Sequence, residues 1–356
     1  MKAHGQPILI WGGGAIGGVL GAYWARAGLP VVMVDIVAEH VEACRTTGVN
    51  ISGPVEQFRQ VVPAVTPAEV RGEYEVIVLA VKAQATEAAL AMLEPHLLPS
   101  GFVLSAQNGL NELAIARALG ADRTMGCFVN FGADWLGPGE ILFGNRGAVV
   151  VSEIDGAARE RTRQMHRQLM LFEPGAVLTD NIWGYLWGKL AYGAMLFATA
   201  LTTDSMSENF ADPRRFVVFD QLAREVMSVA TARAVVPVGF NGFDPACFAP
   251  GAADSGARAS IAALAEFNRH TAKTHSGIYR DLAVRKRTTE VDPQIGIIAE
   301  LGREAGVATP GIDCLVALVH DIEAGRRLMS FETFDILLDI CANASTKRGA
   351  AHAYPA

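Results

Sequence analysis

Ile8-Leu9-Ile10-Trp11-Gly12-Gly13-Gly14-Ala15-Ile16-Gly17-Gly18, followed by the apolar stretch Val19 to Ala27 and by Val31-Val32-Met33-Val34-Asp35, decides the fold of this chain. An apolar run, a glycine turn, a helix, a second apolar run and a terminal acid describe one βαβ unit. Gly12, Gly14 and Gly17 fit the spacing G-x-G-x-x-G. In that pattern the first glycine allows the tight turn, the second lets backbone approach a pyrophosphate, and the third lets helix lie close to strand. The helix N-terminus, at Ala15 and Ile16, offers free N–H groups and partial positive charge to phosphates. Asp35 lies 18 residues after Gly17, where a carboxylate can accept hydrogen bonds from a ribose diol. The stretch predicts a dinucleotide site built from Gly12, Gly14, Ala15, Ile16, Gly17 and Asp35.

Asp35 also bears on which dinucleotide binds. Its carboxylate repels a 2′-phosphate, and an NADP site usually supplies arginine or lysine just after the second strand. Residues 36–44 contain neither; Arg45 is the first, and His40 is the one residue between able to take a positive charge. The reading favours NAD over NADP.

Outward from this unit, short apolar runs alternate with helical stretches through about the first 150 residues. Strands are expected near 61–65, over Glu75–Val81 and over Phe102–Ala106, with helices over 38–47, 84–94 and 111–118. Nearly continuous apolar strands separated by helices indicate a parallel sheet covered on both faces. Such sheets bind ligands at the carboxyl ends of their strands, which is where Gly12, Asp35, Lys82 and Asn108 fall. Between 125 and 151, Gly-Pro turns and alternating runs predict an antiparallel finish. From about 180 onward the periodicity is helical: 181–200, 213–233, 257–272, 292–305, 311–323 and 330–343, with a loop over 237–256 and a frayed tail over 345–356. The fold class is α/β: an N-terminal Rossmann-type doubly wound sheet over residues 1–178, and an all-α C-terminal domain over 179–350 for substrate and dimerisation.

The 356 residues suit about two domains, and 51% hydrophobic against 19% charged residues allow a large core. A net charge of −7 with no basic block argues against nucleic acid as a partner. Five scattered cysteines, none at metal-ligand spacing, read as reduced thiols in a cytoplasmic protein with no metal site. The start runs directly into the first strand, with no secretory signal expected. The most apolar helix, about 186–201, contains Lys189 and reads as a buried helix rather than a membrane span.

Two stretches carry further chemistry. Lys189 stands in an otherwise apolar helix, so its ammonium must snorkel or face a cleft, and burial makes a lysine a usable general acid near neutral pH. His275-Ser276-Gly277-Ile278-Tyr279-Arg280-Asp281 and Arg285-Lys286-Arg287-Thr288-Thr289-Glu290-Val291-Asp292 are dense in polar groups. By themselves these read more readily as a solvated loop with helix caps and surface ion pairs.

Taken together, the residues resemble the ketopantoate reductase family, the 2-dehydropantoate 2-reductases, over nearly the whole chain. The resemblance rests on Gly-Gly-Gly-Ala-Ile-Gly-Gly at 12–18, Leu-Ala-Val-Lys at 79–82, Gln-Asn-Gly-Leu at 107–110, Trp-Gly-Lys-Leu at 187–190 and Arg-Lys-Arg-Thr-Thr-Glu-Val-Asp at 285–292. It implies reduction of a 2-keto acid to a 2-hydroxy acid by a nicotinamide cofactor. It further implies Lys189 as proton donor, Glu290 as its support, Asn108 near the nicotinamide and Lys82 near the cofactor. The family pattern places asparagines four and eight residues after the lysine; this chain has Gly193 and Phe197 there. The substrate serine region is shifted, with Ser276 near the place and Gly277 aligned when Asp281 anchors the match. The expectation is therefore a bulkier or different hydroxy or keto substrate than ketopantoate, with His275 and Arg280 available to replace lost anchors. The rivals are an NAD-dependent catabolic alcohol dehydrogenase and a dinucleotide sensor without turnover. Expected partners are a small-molecule substrate and a second copy in a homodimer, with no membrane.

Overall fold

In the computed structural model, residues 6–240, 242–271 and 274–353 are described, with side chains described through Arg348. The chain divides into two compact units, Met1–Ile182 and Trp183–Ala356.

In the N-terminal unit the glycine stretch forms β1 (Ile8–Trp11), α1 (Ala15–Arg26) and β2 (Val31–Val34), continued by α2 (Ala38–Thr46). Then come β3 (Val49–Ser52), β4 (Phe58–Gln60), β5 (Ala64–Val65), β6 (Tyr74–Leu79), α3 (Thr86–Leu93), β7 (Leu97–Ser105) and α4 (Asn111–Leu119). β8 (Thr124–Val129), β9 (Gly132–Gly137), β10 (Glu140–Asn145), β11 (Val149–Glu153), α5 (Glu160–Met170) and β12 (Val177–Leu178) complete the unit. The main sheet has the order β12-β11-β8-β7-β6-β1-β2-β5, parallel from β8 to β5, with β11 antiparallel to β8. Successive strand residues serve opposite faces. Ile8 and Ile10 join the core under α1 and α5, whereas Leu9 and Trp11 join Ile77, Leu79 and Val103 under α3 and α4. Burial on both faces is why these strands read as unbroken apolar runs. α1 approaches β1 closely because Gly17 has no side chain; a Cβ there would collide with the Gly12 carbonyl oxygen and lie 2.9 Å from Ile10.

A second sheet, β4-β3-β10-β9, was not expected from the sequence. It pairs β3 in parallel with β10, some ninety positions away, and β10 antiparallel with β9. The antiparallel finish over 125–151 is thus shared between two sheets, β8 and β11 in one, β9 and β10 in the other.

The C-terminal unit is helical. It holds α6 (Ile182–Thr199, its first residue assigned to the N-terminal unit), α7 (Met206–Ala211), α8 (Phe216–Ala232) and α9 (Asp254–Arg269). The short α10 (Gly277–Tyr279) follows, then α11 (Ile297–Glu304), α12 (Pro310–Glu323) and α13 (Phe331–Ala353). α8 is the axial helix, buried on most sides. Its Glu225 accepts the Gly311 and Ile312 N–H groups at 2.9 and 2.8 Å and so caps α12 from a distance. The expected tail over 345–356 is corrected through Ala353. Arg348 bonds Asp220 at 3.0 Å and Gln221 at 2.6 Å, which keeps the polar last turns helical. Residues 354–356 lie outside the described residues. Among the described residues no helix is long and apolar enough to cross a membrane.

Candidate active site

Strand register brings the N-terminal candidates to one rim. Trp11 pairs with Val34 and with Leu79, and Leu79 pairs with Ser105. The segments that leave these positions, Gly12–Ile16, Asp35, Ala80–Lys82 and Ala106–Asn108, therefore emerge side by side at the carboxyl ends of β1, β2, β6 and β7. Gly12 has a φ of 105°, and a Cβ on it would lie 2.7–2.9 Å from the backbone of Ala80 and Val81. Gly14 is the opposite case: its Cβ position has nothing within 4 Å. The turn is closed against the protein at Gly12 and left open on the ligand side at Gly14, which fits a bound pyrophosphate.

Asp35 closes this loop. Its Oδ2 accepts the Gly13 N–H at 3.0 Å and its Oδ1 accepts the Val37 N–H at 3.0 Å, which tethers the glycine turn to the start of α2. His40 supports the same loop from below and is 1% exposed. Its Nδ1 accepts the Gly139 N–H at 2.9 Å and faces Trp135 Nε1 at 3.3 Å, so the ring proton sits on Nε2 and is donated to the Gly13 carbonyl at 2.8 Å. This corrects the reading of His40 as an available cation: both ring nitrogens are committed to the fold. Arg45 is held by Glu42 at 2.6 Å and lies 3.9 Å from Glu69. Ile36, next to Asp35, is 80% exposed.

Asn108 is the one part-exposed residue between Gly101 and Glu112. Its loop is latched by three buried side chains that sequence reading missed. Gln107 Nε2 donates to the Val81 carbonyl and to Thr86 Oγ1, both at 2.9 Å. Thr86 Oγ1 donates to Asn111 Oδ1 at 2.9 Å, and Asn111 Nδ2 donates to the Asn108 carbonyl at 2.7 Å. The chain of bonds joins the segment carrying Lys82, itself part-exposed, to the one carrying Asn108. The available signal was polar residues (Gln107, Thr86, Asn111) within otherwise apolar surroundings, since a buried polar group must find a partner.

In the C-terminal unit, Lys189 is the one charged residue of α6. It is part-exposed, as are Tyr185, Tyr192, Gly193 and Leu196, while Leu190, Ala191, Ala194, Met195 and Phe197 are buried. At about 100° per residue those five positions fall within an arc of roughly 100°. Phe197 is 1% exposed and packs into the unit rather than onto that arc.

The second polar stretch has an unusual backbone. Wide π-type turns run over Arg280–Arg285 and Asp292–Gly296, and Lys286 between them is left-handed at φ 47°. Such turns and such strain concentrate at functional sites. Glu290 lies between the π turns and is part-exposed, with Thr289 beneath it bonding Glu323 through its N–H and hydroxyl, both at 2.7 Å. Arg285 and Arg287 clamp Asp281 at 3.1 and 2.8 Å, the local ion pairing that the charge run allowed. Ser276 is buried and caps α10, accepting the Tyr279 N–H at 3.1 Å. His275 stacks on Tyr279 at 4.1 Å and bonds Thr274 and the Thr203 carbonyl. Arg280 is part-exposed at the first π position. Among the described residues none of the five cysteines forms a disulfide.

Comparison with known proteins agrees in both units. A family model described as "Ketopantoate reductase PanE/ApbA" matches residues 8–156, and its C-terminal counterpart matches 181–323. The 2-dehydropantoate 2-reductase of Mesorhizobium japonicum is 26% identical over 347 residues, covering 90% of this chain and 99% of that protein. A D-mandelate dehydrogenase solved with NADH and anilino(oxo)acetate superposes with a TM-score of 0.77 at 23% identity, covering 91% of this chain and 100% of the other. A PanE/ApbA family ketopantoate reductase from Ralstonia eutropha JMP134 gives 0.74 at 24% identity, covering 90% and 99%.

Proposed function

Since the chain belongs to the ketopantoate reductase family, we propose that it interconverts a 2-keto acid and its 2-hydroxy acid with NAD(H), using Lys189 as acid and base. The enzyme is an oxidoreductase acting on a CH–OH group with a nicotinamide cofactor. The observation that carries the finer reading is the single ammonium on the part-exposed face of α6.

The nicotinamide, when bound, supplies or accepts the hydride at the carbonyl carbon. The protein's residues do the rest. The dinucleotide is held on the Gly12–Gly17 turn, with its phosphates at the N-terminus of α1 and its ribose diol on the free lone pairs of Asp35. Asp35 already faces that rim, and the positive groups near it are committed elsewhere: Arg45 to Glu42, His40 to Gly13 and Gly139. NAD is therefore favoured over NADP, and the NADH bound by the D-mandelate dehydrogenase is consistent with this. Asn108 and Lys82 flank the nicotinamide half on the latched loops. During reduction, negative charge develops on the substrate oxygen; the Lys189 ammonium stabilises it and donates its Nζ proton. In oxidation a neutral Lys189 takes the hydroxyl proton. Glu290 balances the ammonium and orients it. The assembly is a homodimer through the helical unit, supported by exposed apolar Leu328, Phe331, Ile336 and Ile340 at α13, and sedimentation velocity reads it.

The test is initial-rate kinetics on a panel of 2-keto acids with NADH and NADPH separately. NADH-linked turnover is the expected result. Binding of NADH without turnover of any keto or hydroxy acid would leave a sensor and overturn the reading.

A further inference from the structure

We infer that the site takes a 2-keto acid bearing a flat aromatic substituent, and that Gly193 and Tyr192 set this preference. The inference rests on the reading of Lys189 as the acid/base. Gly193 lies one turn beyond Lys189 on the part-exposed arc of α6, and its Cβ position has no atom within 4 Å. This face of α6 is therefore open one turn beyond Lys189, where a substituent on the keto carbon has room.

The residue before it, Tyr192, belongs to a firmly held aromatic cluster. The Tyr192 hydroxyl lies beside the Asn268 side chain, and its ring lies 5.6 Å from Phe243 at 39° and 6.2 Å from Phe240 at 69°. Phe243 in turn stacks on Phe248 at 5.8 Å and 20°. The segment carrying these rings is pinned to α6 by the Val238 N–H, which donates to the Gly184 carbonyl at 2.8 Å. Gly188 lets it come that close: a Cβ on Gly188 would collide with the Val238 carbonyl oxygen. Such offset and tilted ring contacts favour a further ring over a small polar chain. The polar groups point the same way. Between Lys189 and Leu196 the arc presents a phenol whose hydroxyl lies beside Asn268, a glycine and a leucine, and no amide or second charge. A hydroxylated aliphatic substituent would find no amide on this face of α6 to bond.

The test compares kcat/KM for 2-oxo-2-phenylacetate and 2-oxo-3-phenylpropanoate with that for pyruvate and for ketopantoate, on wild type, Gly193→Ala and Gly193→Asn. Wild type is expected to prefer the aryl acids by roughly tenfold or more. Gly193→Asn places an amide in this open space and is expected to reverse the order. Gly193→Ala, whose added Cβ meets nothing, keeps the fold and moves the ratio part of the way. A wild-type preference for pyruvate or ketopantoate, or a ratio that neither variant moves, overturns the inference while leaving Lys189-dependent turnover standing. No turnover of any of the four acids removes both this inference and the reading beneath it.

Discussion

Replacing Glu112 with glutamine is expected to stabilise the N-terminal unit above neutral pH and to change little near pH 5. Glu112 sits in the first turn of α4 and is 0% exposed. Neither carboxyl oxygen has a hydrogen-bond partner; the Ser105 hydroxyl is its polar neighbour but stands outside bonding geometry. Gly126 borders its Cγ, and no charged group acts on it. Burial therefore pushes the carboxyl from 4.5 up to about 7. The sign follows from proton binding. Between those values the folded chain holds a proton that the unfolded chain has released, so stability falls as pH rises through the interval and levels off above it. A difference of about 2.5 units corresponds to about 3 kcal/mol. Glutamine keeps the shape and cannot titrate, so this loss disappears; its buried amide costs about as much as the neutral acid did. Thermal melts of wild type and Glu112→Gln across about pH 5 to 9 read the effect, and for a unit of this size about 3 kcal/mol corresponds to roughly 6–12 °C. Parallel melting curves over that range would refute the reasoning.

Other perturbations separate the roles assigned above. Gln107→Leu strands the Val81 carbonyl and loosens the Asn108 latch; we expect a loss of about 2–4 kcal/mol and a raised KM for NADH, both measurable on one preparation. Asp35→Ala removes the charge facing the ribose and should raise the NADPH-to-NADH ratio of kcat/KM roughly tenfold, about 1.4 kcal/mol; an unchanged ratio would dissociate Asp35 from cofactor choice. Glu225→Ala uncaps α12 and should lower the stability of the helical unit by about 3 kcal/mol without altering NADH affinity, as calorimetry with and without cofactor would show.

How legible each part was in the sequence follows from how local its causes are. The glycine turn, β1, β2, β6 and β7 are written in contiguous residues, because a strand buried on both faces must be apolar throughout. The β3 and β4 sheet is not: Val49-Asn50-Ile51-Ser52 and Phe58-Arg59-Gln60 are short and half polar, and β3 gains its partner from β10 far along the chain. The last turns of α13 lose apolar periodicity at Ser345-Thr346-Lys347-Arg348, and the ion pair of Arg348 with Asp220 supplies what local propensity does not. Within the candidate site, Gly12, Asp35, Lys82, Asn108, Lys189 and Glu290 are proposed from motif and resemblance. What supports them could not be read that way. His40 bonds Gly13 and Gly139, 27 and 99 positions away, and Thr86 bonds Asn111 25 positions away. The π turns around Glu290 have no signature in a single sequence.

The proposed chemistry depends above all on Lys189. Single-turnover oxidation of NADH by a 2-keto acid, with wild type and Lys189→Ala compared at equal cofactor occupancy, tests it most directly. Loss of the proton donor should slow the chemical step by about 100-fold or more while NADH affinity stays within about twofold. A variant that turns over within about threefold of wild type would contradict the assignment of Lys189 as the acid.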